Sequence, residues 1–167
     1  MTAASLAAYA EGQERLSRAV LGACAPGETL SAKVDAALTA AFSLLASDPV
    51  LAFLLTDLPE RGDPALLRLR SDWRSRYGEL LRDAALRDGA EAPRFVLEPT
   101  LIAGVAFSVA RLVREGEAGS LVDRLLPAAR WYLLSYYLPP EQVTQLGAAA
   151  FPAPSIRPRP LPETSSP

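Results

Sequence analysis

The side chains able to do chemistry in this sequence are aromatic and amide groups rather than acid–base pairs. The chain has no histidine, which rules out Ser-His-Asp and Cys-His nucleophile activation and the usual zinc ligand sets. Asp57, Glu60 and Asp63 cluster around one loop, but their spacing matches no calcium-binding loop. We therefore expect a protein that is not an enzyme and that uses neither a metal nor another cofactor.

Aromatic side chains on four predicted helices are the candidate ligand-binding residues. They could converge around an apolar cavity with polar handles at Trp73 and Tyr77. They could equally fill the core, as aromatic residues at helical spacing usually do, and the residues by themselves favour the core. The set consists of Phe42, Phe53, Trp73, Tyr77 and Phe107.

Tyr9 and Gln13 lie on the apolar stripe of the first predicted helix. Each is either a hydrogen-bonding residue of a pocket or a residue whose polar end reaches solvent. For both we favour the solvent-reaching interpretation.

Hydrophobic periodicity predicts an all-α fold, a helical bundle of about seven helices without a convincing strand. Asp48-Pro49 and Asp63-Pro64 predict two helix starts, because Asp caps a helix and Pro fits its first position. Thr29 or Ser31 can cap the second helix. The predicted helices cover residues 3–23, 32–46, 50–55, 65–87, 99–114, 121–138 and 141–150.

Two of these helices carry unusually little charge. Helix 65–87 has one apolar stripe and alternating charges elsewhere, whereas residues 99–113 contain only Arg111 as a charged side chain. A surface helix normally opposes an apolar face to a charged one, so we expect helices 99–114 and 121–138 to pack against a second copy of the chain. The predicted interface residues are Gly104, Ser108, Arg111, Leu125, Tyr132 and Tyr136.

Composition places this chain among globular proteins. Half of its 167 residues are apolar and its net charge is −2, which argues against non-specific binding to nucleic acid or acidic membranes. The charge-free runs at residues 36–47 and 99–110 span 12 residues each, short of the roughly 20 that a membrane helix needs. With a lone cysteine and no secretory signal, we expect a cytoplasmic protein without a membrane partner. Residues 1–150 form one predicted domain, and residues 151–167 form a Pro-rich, disordered tail.

The charge-poor pair resembles the C-terminal end of the tetracycline-repressor (TetR) family of transcriptional regulators. The resemblance runs through Thr100-Leu-Ile-Ala-Gly-Val-Ala-Phe-Ser108 and then Arg111-Leu-Val-Arg-Glu-Gly116. It continues in Leu125-Leu-Pro-Ala-Ala-Arg-Trp-Tyr-Leu-Leu134 and Tyr137-Leu-Pro-Pro-Glu141, and Ala46-Ser-Asp-Pro-Val-Leu-Ala-Phe-Leu54 is similar to the segment that links two core helices of the family.

That resemblance implies a dimeric four-helix bundle made by the last two long helices, with a pocket for a small hydrophobic effector upstream. It makes a pocket near some of the five aromatic residues as plausible as a solid core. In the family, effector binding releases a repressor from DNA by moving an N-terminal helix-turn-helix, and nothing in this sequence resembles that domain. We therefore expect a homodimeric sensing core that contacts DNA only through a helix-turn-helix not present here. Either the chain is a truncated core, or it lost DNA binding and pairs with a partner regulator as an interaction protein.

Overall fold

Seven α-helices make up most of the chain that the computed structural model describes, which is residues 3–24, 29–90 and 98–150. No strand occurs in these ranges, so the predicted all-α class is confirmed there. The helices are α1 (Ala3–Ala23), α2 (Leu30–Ser47), α3 (Pro49–Thr56), α4 (Pro64–Arg87), α5 (Glu98–Arg114), α6 (Leu126–Leu134) and α7 (Pro140–Ala150).

The helices α2, α3 and α4 begin at the predicted capping residues. Thr29 Oγ1 accepts a hydrogen bond from the backbone N–H of Ala32, 3.3 Å away. Asp48 and Asp63 cap α3 and α4 in the same way, and each is followed by a proline in the first turn. A proline costs nothing at that position, because the N–H it lacks has no partner inside the helix.

Glycines in the left-handed conformation end α4 and α5. Gly89 has a φ of 80° and Gly116 a φ of 76°. After each glycine the next N–H bonds back into the helix, from Ala90 to the carbonyl of Ala85 at 3.0 Å and from Glu117 to that of Leu112 at 2.8 Å. This pattern satisfies carbonyls that the helix end would otherwise leave unpaired.

The sixth predicted helix is interrupted, so the expected continuous helix over residues 121–138 is wrong. A π-helical turn occupies Leu121–Leu125, and the α-helix begins only at Leu126 and ends at Leu134. Pro127 gives the physical reason, because its ring lacks an N–H and clashes with the carbonyl four residues earlier in a regular helix. The wider π turn accommodates this: the Leu126 N–H bonds to the Leu121 carbonyl, five residues back.

Helix α2 forms the centre of the bundle. It contacts α1, α3, α4, α6 and the π-helical turn, and one face of it is buried. The buried side chains are Leu30, Val34, Leu38, Phe42 and Leu45. Helices α4 and α5 pack against each other, and their close approach is at Gly78, where a Cβ atom would lie 3.0 Å from the Pro99 nitrogen.

By length and composition alone α2 is also apolar enough to cross a membrane. The expectation that short charge-free runs exclude a membrane span does not hold for α2. Its 18 residues include two charged side chains, Lys33 and Asp35, and the helix is still long and apolar enough to cross a membrane. The buried face of α2 in the bundle is that of a core helix, and core helices of soluble proteins pass the same test. This feature is weak evidence for a membrane span.

Some predictions concern parts of the chain outside the described residues. The sequence predicts that Pro26-Gly27 ends the first helix, that residues 95–97 lead into helix 99–114 and that residues 151–167 form a Pro-rich tail, and all three segments lie outside the described residues.

Candidate functional site

A cavity of about 580 Å³ lies inside the bundle. Its walls come mainly from α1, α2, α4 and α5, with smaller contributions from α3 and α6. The walls are mostly apolar, and the volume is in the range of pockets that hold drug-sized molecules. The cavity opens where lining side chains are themselves exposed, at Leu21, Leu80 and Phe107.

Four of the five predicted aromatic residues line this cavity. Phe42 is buried in its α2 wall, and Trp73 and Tyr77 stand one turn apart on α4 with ring centroids 6.0 Å apart. Phe107 lines the opening and is 66% exposed. These four side chains therefore meet at one cavity, whereas ligand binding by them stays a prediction.

Phe53 is the exception and does not line the cavity. Its side chain is 49% exposed, while Leu51, Ala52 and Leu55 form the buried face of α3. The apolar helix α3 is only eight residues long, so its periodicity could not distinguish the inward from the outward aromatic position.

Tyr9 and Gln13 form a buried polar pair in the cavity wall. Gln13 Nε2 donates a hydrogen bond of 3.0 Å to the Tyr9 hydroxyl, and the two side chains are 8% and 0% exposed. The expectation that their polar ends reach solvent is therefore wrong. Gln13 Oε1 is buried and has no hydrogen-bond partner, and an unpaired buried polar atom costs about 1–3 kcal/mol.

Tyr77 adds a second unsatisfied group to the same wall. Its hydroxyl is buried, and Ser17 lies near it without good hydrogen-bond geometry. Burial is the main cause that raises the pKa of Tyr77, to about 12. The hydroxyl thus stays protonated at neutral pH and can donate a hydrogen bond into the cavity.

Arg70 and Arg74 are lining residues that the sequence interpretation missed. They lie one turn apart on α4 and border the stripe that carries Trp73 and Tyr77. That position is visible in the sequence, but the sequence interpretation assigns no role to either residue. Arg76, further round the helix, stacks on the outer side of Trp73, with 4.9 Å between its Cζ and the ring centroid.

Most of the predicted interface residues have partners within one chain. A Cβ atom on Gly104 would lie 2.8 Å from the Tyr132 hydroxyl, so packing of α5 on α6 already accounts for this glycine. The Ser108 hydroxyl donates to the Gly104 carbonyl, and Arg111 pairs with Glu115 at 2.9 Å.

Leu125 is half-buried in the π-helical turn. Tyr136 meets Tyr132 edge to face, with 6.1 Å between ring centroids, and is still 48% exposed. Among the predicted interface residues, Tyr136 therefore presents a large exposed apolar surface, and the dimer stays a prediction.

A second buried polar cluster lies where α4, α5 and the end of α6 meet. Glu98 is 1% exposed, and its Oε1 accepts a 2.9 Å hydrogen bond from Arg82 Nε. Burial is the largest single effect and raises the pKa of Glu98. The hydrogen bond and charge of Arg82, a backbone hydrogen bond and Tyr137 together outweigh burial, and the pKa falls below its usual value. The Tyr137 hydroxyl faces the same carboxylate. None of these three residues lines the cavity.

Comparison of the chain with protein-family models, curated proteins and solved structures gave no match.

Proposed function

We propose that this chain is the small-molecule-sensing and homodimerising core of a TetR-type transcriptional regulator. The cavity would bind a small hydrophobic effector, and α5 with α6 would pair with their copies in a second chain. DNA would be contacted through a helix-turn-helix that this sequence does not contain.

The cavity is the single observation that carries this proposal. A well-packed core leaves few voids larger than a water molecule, yet about 580 Å³ stays open between the helices. Buried atoms of Gln13 and Tyr77 lie in its wall without good partners. Unsatisfied polar groups beside an open apolar volume lower the stability of the free protein, and a bound ligand would give them hydrogen-bond partners.

The exposed aromatic surface of the last two long helices supports the dimer. Phe107 on α5 and Tyr136 after α6 are 66% and 48% exposed. Large aromatic side chains are enriched in interface cores, whereas charged residues are depleted there. Residues 99–110 contain no charge at all.

A thermal-shift screen of uncharged apolar compounds against the full chain tests the sensing role. A ligand at a hundredfold excess over its Kd should raise Tm by roughly 5 °C or more. Ala106→Trp, which fills the cavity from α5, should abolish the shift. Thr100→Trp is the matched control, because Thr100 is exposed on the same helix and outside the cavity.

Two results would contradict the sensing role. One is a screen in which no compound raises Tm. The other is an equal shift in Ala106→Trp and the parent, which would place the ligand elsewhere. A dimer that binds no ligand would favour the interaction-protein alternative.

Sedimentation velocity at micromolar concentration tests the dimer. The parent should sediment as a dimer, and Tyr136→Arg should shift it toward monomer, because a charge is costly in an apolar interface. Phe53→Arg is the control, since Phe53 is equally exposed, 49% against 48%, and belongs to α3. A monomeric parent would overturn the dimer.

A further inference from the structure

A row of polar side chains on α1 is buried beside the cavity. Tyr9, Gln13 and Ser17 follow one another at intervals of one helical turn, and their side chains are 0%, 8% and 7% exposed. Residues four apart lie on the same face of a helix, and Tyr9 and Gln13 line the cavity. Buried polar groups lower stability unless they are hydrogen-bonded, so each group in this row needs a partner.

Gln13 lacks a partner for one end of its amide. Its Nε2 donates a 3.0 Å hydrogen bond to the Tyr9 hydroxyl, but its Oε1 is buried and accepts no hydrogen bond from any described residue. A carbonyl oxygen can only accept, so the missing partner is a hydrogen-bond donor. A carboxylate or a second carbonyl cannot take this place, because neither carries a proton to donate.

Tyr77 approaches the same row from α4. Ser17 and Tyr9, which lie on either side of Gln13 along α1, are both close enough to influence the Tyr77 hydroxyl. That hydroxyl is buried and has no hydrogen bond of good geometry within the described chain. It can donate a proton to an oxygen atom of a ligand. The wall therefore combines an acceptor on α1 with a donor on α4.

The charges near this part of the wall favour an uncharged ligand. Arg70 and Arg74, whose charges act on Tyr9, already interact with other groups of the chain. Asp83 is the one acidic side chain among the described lining residues, and Arg87 lies 4.0 Å from it. A buried charge without a partner is costly, so a charged head would bind less well here than a neutral one.

We infer that the cavity binds an uncharged apolar molecule with one hydroxyl group, which donates to Gln13 Oε1 and accepts from the Tyr77 hydroxyl. The inference rests on the proposed function, because it names the ligand class of the same cavity. A hydroxyl is both a donor and an acceptor, so one group provides partners for both unpaired atoms. The apolar body of the ligand fills the rest of the cavity, whose walls are mostly apolar.

Three twelve-carbon ligands that differ in their oxygen group test the need for a donor. Isothermal titration of the full chain would compare 1-dodecanol, 2-dodecanone and dodecanoate, each below its solubility and micelle limits. The alcohol donates and accepts, whereas the ketone and the carboxylate only accept. We expect the alcohol to bind about tenfold more tightly than the ketone, a difference of about 1.4 kcal/mol. The carboxylate should bind most weakly, because its charge has no free partner.

A pair of glutamine substitutions tests the acceptor. Gln13→Met keeps the length of the side chain and removes its oxygen, so it should reduce the preference for the alcohol over the ketone about tenfold. The affinity for the ketone should stay unchanged. Gln142→Met makes the same chemical change at an exposed position on α7 outside the cavity, and it should keep the parental preference.

Tyr77→Phe tests the donor and should give a different pattern. The Tyr77 hydroxyl can donate to the oxygen of the alcohol and to that of the ketone alike. Its removal should therefore weaken both ligands by a similar factor and leave the preference for the alcohol in place. If either cavity variant fails to fold, the three-ligand comparison on the parent still decides.

The outcomes separate this inference from the proposed function. Equal binding of alcohol and ketone would overturn the need for a donor while supporting an effector cavity, and so would tightest binding of the carboxylate. A parental preference in Gln13→Met, or an equal loss of preference in Gln142→Met, would contradict the assigned position of the hydroxyl. Binding of none of the three would overturn the inference and count against the sensing role as well.

Discussion

The two buried polar clusters of this bundle differ in what surrounds them. Glu98 and Arg82 lock α4 to α5 through a short ion pair, with Tyr137 closing over the carboxylate. Tyr9 and Gln13 also bond to each other, but they face an open volume of about 580 Å³.

This difference separates a group that holds the fold from groups available for binding. Removing one member of a buried ion pair leaves the other charge without compensation, so the pair is strongly coupled to stability. Polar groups beside a cavity are already incompletely satisfied in the free protein. Losing them costs little stability, and their value lies in what they bind.

The largest effect is expected at the ion pair. Glu98→Gln removes the charge but keeps the size of the side chain, and should lower the free energy of unfolding by about 2–3 kcal/mol. We place it below the usual cost because Arg82 is 34% exposed and can rehydrate. Urea unfolding followed by circular dichroism measures it.

Arg111→Gln is the control for that experiment, because it breaks an ion pair whose arginine is 70% exposed. It should leave the urea midpoint unchanged. Equal losses in the two variants would show that burial does not distinguish these pairs.

An acid titration should remove part of the Glu98 effect. The pKa of Glu98 is lowered in the folded protein, so its stabilising contribution is complete above the unfolded value of about 4.3 and is lost as pH falls through the folded value. The stability difference between the parent and Glu98→Gln should hold from pH 7 to about 5 and shrink below about 4.

The parent and Glu98→Gln share Asp48 and the other carboxylates, so the titration of those groups cancels in the stability difference. Urea unfolding at a series of pH values measures it. A difference that grows on acidification would contradict the ionised pair.

The smallest effect on stability is expected in the cavity wall. The double variant Tyr9→Phe, Gln13→Met replaces both partners by apolar groups of similar size, and should change the free energy of unfolding by less than about 1 kcal/mol. The same urea titration tests this. A loss as large as that of Glu98→Gln would show that the cavity pair is a structural element and remove the contrast between the clusters.

Local sequence signals were sufficient for the helix starts and insufficient for the π-helical turn and the cavity. Asp48 and Asp63 marked helix starts because capping depends on neighbouring residues. The π-helical turn ahead of Pro127 was missed, although the proline that disrupts the regular helix is visible in the sequence. The burial of Gln13 and Glu98 depends on which helices meet there, and periodicity within one helix does not carry that information.

Tryptophan fluorescence tests the central claim, ligand binding inside the cavity, most directly. The chain has two tryptophans, and Trp73 lines the cavity whereas Trp131 does not. In a Trp131→Phe variant, titration with 1-dodecanol or dodecanoate should give a saturable change in Trp73 emission. The control variant combines Trp131→Phe, Trp73→Phe and Ala106→Trp, so that its one tryptophan fills the cavity. The emission of that tryptophan should not change with either ligand. Unchanged Trp73 emission up to the solubility limit of both ligands would contradict a binding cavity at this site.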